Sequence, residues 1–432
     1  MKKLTALCLA LIMALSLTAL TGCRTEDGET DLRLGWWGNP VRNERTTAVI
    51  DLFHAEFDNI YIEEWTVGWG DYWTALATMA IGNDLPDVMQ HDWGFLEQYV
   101  NNGHLVDLRP YFADNRIDVR NVPQSVLELG RFGEGIYAIS IGMNAICMLY
   151  DKTLLDSLGI ELEHNYSIDR FIEVSRLVYE GAGIRTNMAF GDASNFMEIL
   201  LRQHDVVMIT PEGMGGEPAM YEQFFDILAL GLEEGWHIRF EDMAGREGMP
   251  QDPVVWGGDP MQPHLRAWNT FVWSNMLTGL LNAAEPAGIE LGITTMPSDN
   301  PSKSSFFRSS MYFAITTHSD SPDAAASFIN FWINDPEAGQ ILMTERGLPI
   351  STAVLSHIEP HFSGQDAMAR EYLEFVTAPG NSSPVNPARP PRAPEIVAHL
   401  DYLAEGVALG MYTPAEAALN IFNFGNEVLA RD

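Results

Sequence analysis

Indole rings stand in this chain where the patterning expects strands to end, with polar residues set between them. Trp36-Trp37-Gly38-Asn39, with Arg42, follows the alternating segment Asp31-Leu-Arg-Leu34. Trp65, Trp69-Gly-Asp71 and Trp73 follow a second segment around Tyr61-Ile62, and Asp92-Trp93 follows a third, Pro86-Asp-Val-Met89. In an open α/β sheet, ligands sit outside the carboxyl ends of the strands. Indoles at those ends, with Asn, Asp and Arg between them, would suit a sugar. The apolar C–H face of a pyranose stacks on the ring, and its hydroxyls bond to amides, carboxylates or guanidinium. Trp36 and Trp37 are adjacent, so only one is expected to face inward and at least one to line a cleft. Trp73 and Trp332 fall within helical patterns and read as core.

Catalytic signatures are missing. The chain has no Gly-rich loop leading into Lys-Ser/Thr, no Gly-x-Gly-x-x-Gly, no Gly-x-Ser-x-Gly, no His-Glu-x-x-His and no Cys-x-x-Cys. No cofactor is expected. His357-Ile-Glu-Pro-His361 has a metal-like spacing, but Pro360 inside it argues for a solvated turn. Acidic pairs such as Glu63-Glu64 and Glu233-Glu234 read as solvated faces. A glycosidase dyad needs only two carboxylates that meet in space, so a glycoside hydrolase is an alternative.

The elements that must position these residues alternate. A helix with Val49, Ile50, Phe53 and Phe57 on one face follows the first strand. Asp71 is placed to cap a second helix, with Trp73, Leu76 and Met79 on its apolar face, and Trp93 to Tyr99 form a third. Strand–helix alternation means an α/β layer with a mainly parallel sheet. Farther on, Ser167 caps a helix containing Phe171, Ile172, Val174 and Val178, and Phe224 to Leu232 are helical. Tyr312 to Thr316 form a strand, and Ser321-Pro322 open a helix. Pro384 to Pro394, with five prolines in eleven residues, is a stiff connector. Thr413-Pro-Ala-Glu416 is a capping box for the last helix.

The first 22 residues carry a different message. Lys2 and Lys3, an apolar run from Leu4 to Leu20, and Leu20-Thr-Gly-Cys23 form a secretory signal whose end resembles the lipobox of bacterial lipoproteins. Cys23 would then be lipidated and lead the mature chain, tethered outside the membrane through residues 23–30. Cys8 leaves with the signal, so Cys147 stays alone, a small core residue with no internal disulfide. From Cys23 onward the chain is too long for one core and implies two or three domains. A formal net charge of −34, from 59 acidic and 25 basic residues, excludes nucleic acid and anionic membrane surfaces as partners.

Several spaced pieces carry a family resemblance: Trp36-Trp-Gly-Asn-Pro-Val-Arg42, Gly70-Asp-Tyr-Trp73, Leu85-Pro-Asp-Val88 with Asp92, and Gly103-His-Leu-Val-Asp-Leu108. Others are Gly135-Ile-Tyr-Ala-Ile139, Ser321-Pro-Asp-Ala-Ala-Ala-Ser-Phe328, Asn334-Asp-Pro-Glu337 and Gly347-Leu-Pro-Ile350. Their order, from about residue 31 to the C-terminus, resembles an extracellular solute-binding protein of an ABC importer, in the large family that binds sugars. Gly257-Gly-Asp-Pro260 departs from the Gly-Lys that members often carry before the central aromatic segment.

The resemblance implies two α/β lobes joined by hinges, with the ligand between them. Residues 31–138 and 311–355 would form the first lobe. Residues 139–310 would form the second, with 356–432 as C-terminal helices on it. Chain crossings would lie near Ile139–Ile141 and Arg308–Ser310. Ligand-binding positions carried over are Trp36, Trp37, Asn39, Arg42, Trp69, Asp71 and Asp92 from the first lobe. Asn144, Trp256, Trp273 and Asn275 come from the second, with Arg308 and Met311 near the second crossing. Arg42 would hold a hydroxyl pair or, in an acidic sugar, its carboxylate. The implied function is capture of a carbohydrate by a monomer, without catalysis, and delivery to permease subunits with their ATPase. A peptide, polyamine or metal ligand on the same fold, or signalling to a sensor kinase, are the other readings.

Overall fold

Leu32 and Leu34 alternate into the core along the first strand, β1 (Thr30–Trp37). It pairs in parallel with β2 (Ile60–Val67) along its whole length and with β3 (Val88–His91). The computed structural model describes residues 30–188, 193–243, 266–386 and 389–431. The N-terminal segment read as a signal, with Cys23, and Trp256 with Gly257–Pro260, lie outside these residues. The crossovers are α1 (Pro40–Glu56) and α2 (Trp69–Ile81). Asn39 Oδ1 accepts the Arg42 N–H at 2.8 Å and Pro40 takes the first helical position, so sequence-local chemistry starts α1. Asp71 does not cap α2. Gly68 is its N-cap, and Asp71 sits exposed in the first turn, where its charge favours the helix dipole. The wholly buried residues of α2 are Tyr72 and Leu76, one position off the expected Trp73. β3 likewise begins two residues later than Pro86, because a proline cannot donate into the ladder.

A long strand, β4 (Ile139–Asp151), ties the molecule together. Its second half pairs with β5 (Asn269–Trp273) on one side and β6 (Leu291–Thr294) on the other. Its first half pairs with β7 (Phe307–Ile315), which continues onto β3. The sheet order is therefore β6-β4-β7-β3-β1-β2, with β5 also on β4. The result is mixed α/β and two-lobed. One buried cluster draws on residues from Leu32 to Ile141 and from Met311 to Ile350. A second joins Ile146 to Phe306 with Ala393 to Val428, and a smaller third begins at Ala145. Between the clusters the β4–β7 register slips at Ser309–Met311, a bulge that bends the pair.

A strap from Met343 to Leu348 lies across that bend. Met143 and Leu348 exchange backbone hydrogen bonds of 2.8 and 2.9 Å, and the Ser310 hydroxyl donates to the Arg346 carbonyl. Two glycines make the approach possible. A Cβ on Gly142 would lie 2.0 Å from the Arg346 carbonyl oxygen. One on Gly347, whose φ is +92°, would lie 2.3 Å from that of Met143.

Helices α4 (Ile168–Ala182), α5 (Ala193–Arg202) and α6 (Glu222–Glu233) build the second cluster with the C-terminal pair α11 (Ala393–Ala408) and α12 (Pro414–Leu429). Ser167 caps α4 and Thr413 with Glu416 forms the capping box of α12. The third cluster lies between α7 (Leu277–Ala284) and α10 (Gly364–Thr377) and contains Cys147. In the first lobe, α8 (Pro322–Asn334) buries Trp332, and α9 (Pro336–Leu342) leads into the strap. No described helix is long and apolar enough to cross a membrane. Burial pushes the Cys147 thiol far up, which removes the nucleophilic thiolate. We expect Cys147 to resist iodoacetamide in the native protein at pH 8 and to react on denaturation; rapid native labelling, followed by mass, would contradict its placement.

Candidate ligand site

At the carboxyl ends of β1 to β3 the aromatic residues meet, though not as alternation suggested. Trp36 is fully buried and Trp37 is 8% exposed. Adjacent side chains do point to opposite faces of β1, but helices cover both faces of the parallel part of this mixed sheet, so both rings are core. Trp36 Nε1 donates to Asn43 Oδ1 of α1 at 2.9 Å. Trp37 lies under α2, its ring centroid 5.0 Å from Trp69, 5.1 Å from Tyr72 and 5.7 Å from Trp73. Trp69, at the start of α2, is the open member at 46% exposed. Trp73 stacks on Phe95 at 3.9 Å and lies 5.1 Å from His91. The His91 Nδ1–H donates to the Asp92 carbonyl at 3.1 Å, leaving Nε2 as a buried acceptor. Neither Nε2 nor Trp73 Nε1–H has a partner among the described residues.

A second group forms where the lobes join. Trp273 ends β5, and the turn after it carries Asn275, whose Oδ1 accepts from Asn144 Nδ2 at 2.7 Å. Asn144 of β4 stands directly opposite Arg308 of β7. The Arg308 guanidinium carbon lies 3.8 Å from the Trp273 ring centroid and 5.4 Å from that of Trp93, a first-lobe residue. Trp93 opens α3 (Trp93–Asn101), which Asp92 caps through a 2.7 Å bond from Gly94 N–H to Oδ1. Asn144 Oδ1 and Arg308 Nε are buried without partners among the described residues. The group therefore offers two indoles, a guanidinium fork and an amide acceptor. That set can stack on an apolar ring face and satisfy several oxygens at once.

The remaining predicted positions lie elsewhere. Arg42 is buried, and its Nε donates to Glu345 Oε1 of the strap at 2.8 Å. Glu345 Oε2 pairs in turn with Arg346, which also bonds Gln90 and Thr46. Asn39 reaches the other lobe, its Nδ2 lying 3.6 Å from where a Cβ on Gly279 of α7 would stand. Met311 is buried in the bulge and belongs to the first core, and Asp71 is exposed in the first turn of α2. The rings of His357 and His361 end 6.3 Å apart; among the described residues no group of three His, Cys, Asp or Glu could hold a metal.

A model of the bacterial extracellular solute-binding proteins matches residues 43–339. The chain belongs to that family. Solved structures agree in fold. An extracellular solute-binding protein family 1 member from Alicyclobacillus acidocaldarius is 21% identical, with a TM-score of 0.68 over 94% of this chain and 100% of its own. A periplasmic oligogalacturonide-binding protein from Yersinia enterocolitica, in complex with saturated digalacturonic acid, is 19% identical, with a TM-score of 0.80 over 93% and 99%. An ABC substrate-binding protein from Listeria monocytogenes, in complex with cycloalternan, is 16% identical, with a TM-score of 0.76 over 94% and 100%.

Trp93, read from its place after Asp92 as one of the strand-end indoles but not carried over as a ligand-binding position, sits beside Arg308. One feature of this solute-binding protein escaped sequence reasoning. Glu345 meets Arg42 across 303 residues, and no local pattern could announce that pairing.

Proposed function

We propose that this solute-binding protein captures a carbohydrate outside the cell, between its two lobes, and delivers it to ABC permease subunits driven by their ATPase. The lobes are 31–138 with 311–355, and 139–310 with 356–432, hinged where β4 and β7 change core. Cleavage after residue 22 leaves Cys23 lipidated, so a monomer is held at the outer face of the membrane by acyl chains and the 23–30 tether. The binding set is Trp93, Asp92, Trp69 and Asn39 from the first lobe, with Asn144, Trp273, Asn275 and Arg308 opposite. One observation carries the reading: indoles from two different cores, Trp93 and Trp273, converge on one guanidinium beside an unpartnered amide oxygen. Relatives of the same fold are named for oligosaccharide ligands, digalacturonic acid and cycloalternan among them.

A thermal-shift screen of the mature chain against mono- and oligosaccharides, uronic acids included, tests this. A ligand at about 1,000 times its Kd stabilises the folded state by roughly 4 kcal/mol, a visible rise in midpoint. The sugar should be recovered unchanged. Failure of every sugar class to shift the midpoint would refute the carbohydrate reading, and sugar breakdown would indicate the hydrolase instead. With a ligand in hand, Trp273→Ala should weaken binding roughly tenfold to a hundredfold, the loss of one buried aromatic contact. Isothermal titration measures it, and an unchanged affinity would remove Trp273 from the site.

A further inference from the structure

Arg308 is unlike every other described cation. All other described arginines, and both described lysines, hold an ion pair or a side-chain hydrogen bond. The Arg308 side chain has neither among the described residues, and its Nε is buried. This happens in a chain with 59 acidic residues against 25 basic ones, where a counter-ion is easily supplied. The nearby Arg389, 5.8 Å from the Trp93 ring, is paired with Glu198 at 2.6 Å. Asp92, which precedes Trp93, has its Oδ1 committed to Gly94 N–H and holds no ion pair among the described residues.

Stacking leaves one part of this group free. Trp273 lies against the guanidinium and Trp93 stands close by, so the donors at its edge are what can meet a ligand. That planar fork matches a carboxylate with two parallel N–H···O bonds. A neutral sugar hydroxyl can be served equally by Asn144 or Asn275. It would leave a half-buried cation uncompensated, which is costly.

We propose, building on the carbohydrate reading, that the bound sugar carries a carboxylate and that the Arg308 guanidinium receives it. Asn144 Oδ1, directly across the β4–β7 pair, accepts from a hydroxyl of the same residue. The cation thus selects acidic from neutral sugars of one shape, because the neutral form gives up a charge-assisted contact without a substitute.

The test uses the full mature chain and matched probes: uronate oligosaccharides prepared from pectin, alginate and glucuronan, each beside its carboxyl-reduced neutral form. Titration calorimetry should give an acid form that binds roughly tenfold to a hundredfold tighter than its reduced partner, the range of a hydrogen bond to a charged group. Arg308→Gln should bring that ratio close to one, and Arg308→Lys should keep part of it. Melting curves of both variants establish that they fold. Neutral forms that bind as well as acids, or an acid preference that survives Arg308→Gln, would overturn this inference and leave the carbohydrate reading standing. Absence of binding by every sugar, acidic and neutral, would overturn both.

Discussion

Glu345→Gln should destabilise the first lobe by about 3 to 5 kcal/mol, the cost of breaking a buried pair by removing one partner. One carboxylate, with 4% of its side chain exposed, serves both Arg42 and Arg346. Burial lowers the Arg346 pKa to about 9, with Glu345 opposing the shift and Arg42 and Arg45 adding to it. Without Glu345, two buried guanidinium groups face each other with no counter-charge. Arg42→Met is the informative contrast, since it leaves Glu345 still paired with Arg346. We expect Glu345→Gln to lower the melting midpoint clearly more than Arg42→Met, in calorimetry at pH 7. At roughly 2 to 4 °C per kcal/mol for a domain of this size, the first change should exceed about 6 °C. Equal effects would show that charge compensation does not organise the strap.

Acid should weaken the protein in a window set by two buried histidines. Burial is the largest cause lowering both His91 and His237 from 6.5 to about 4. In His237 the Nδ1–H donates to the Ile238 carbonyl at 2.7 Å and Nε2 accepts the Met188 N–H at 3.2 Å. A proton on Nε2 would set two donors against each other. In His91 it would bury a charge between Trp73 and Tyr99. Because the folded pKa lies below the unfolded one, the unfolded chain binds more protons between pH 6.5 and 4. The stabilisation is whole above pH 6.5, declines through that window and is lost below about pH 4. Each histidine accounts for roughly 3 kcal/mol at full loss, from 1.36 kcal/mol per unit. Carboxylates act lower: Asp118, held near 2 chiefly by the Arg120 side chain, loses its effect only below the ordinary carboxylate range. Urea titrations from pH 7 to 4.5 on the parent, His91→Gln and His237→Gln should show a smaller pH slope in each variant. Identical slopes would place the acid sensitivity elsewhere.

Much of the fold was legible because its causes are local. Ser167 and Thr413 with Glu416 start their helices through contacts three residues apart, and such contacts survive in any tertiary setting. The strand–helix alternation before residue 100 predicted a mainly parallel sheet, and β1, β2 and β3 do pair in parallel; β7 on β3 and β4, and β5 and β6 on β4, pair antiparallel, so the whole sheet is mixed. Asp71 failed as a cap because Gly68 offered the chain an earlier turn into α2.

The site was legible in residue type more than in role. Trp36 and Trp37 share one strand end, but α1 and α2 cover both faces of β1, so neither is free as the alternation implied. Arg42 and Arg308 look equally able to hold an anion in sequence. Their difference arises from partners 303 residues away in one case and from none among the described residues in the other.

Composition, the order of motifs and local capping therefore determined the α/β class, the family and the residue types gathered at the strand ends. Tertiary structure alone decided which indoles became core, which cation was neutralised and which was left facing the junction. Burial and charge pairing are set by segments that meet only after folding, and spacing along the chain does not encode them.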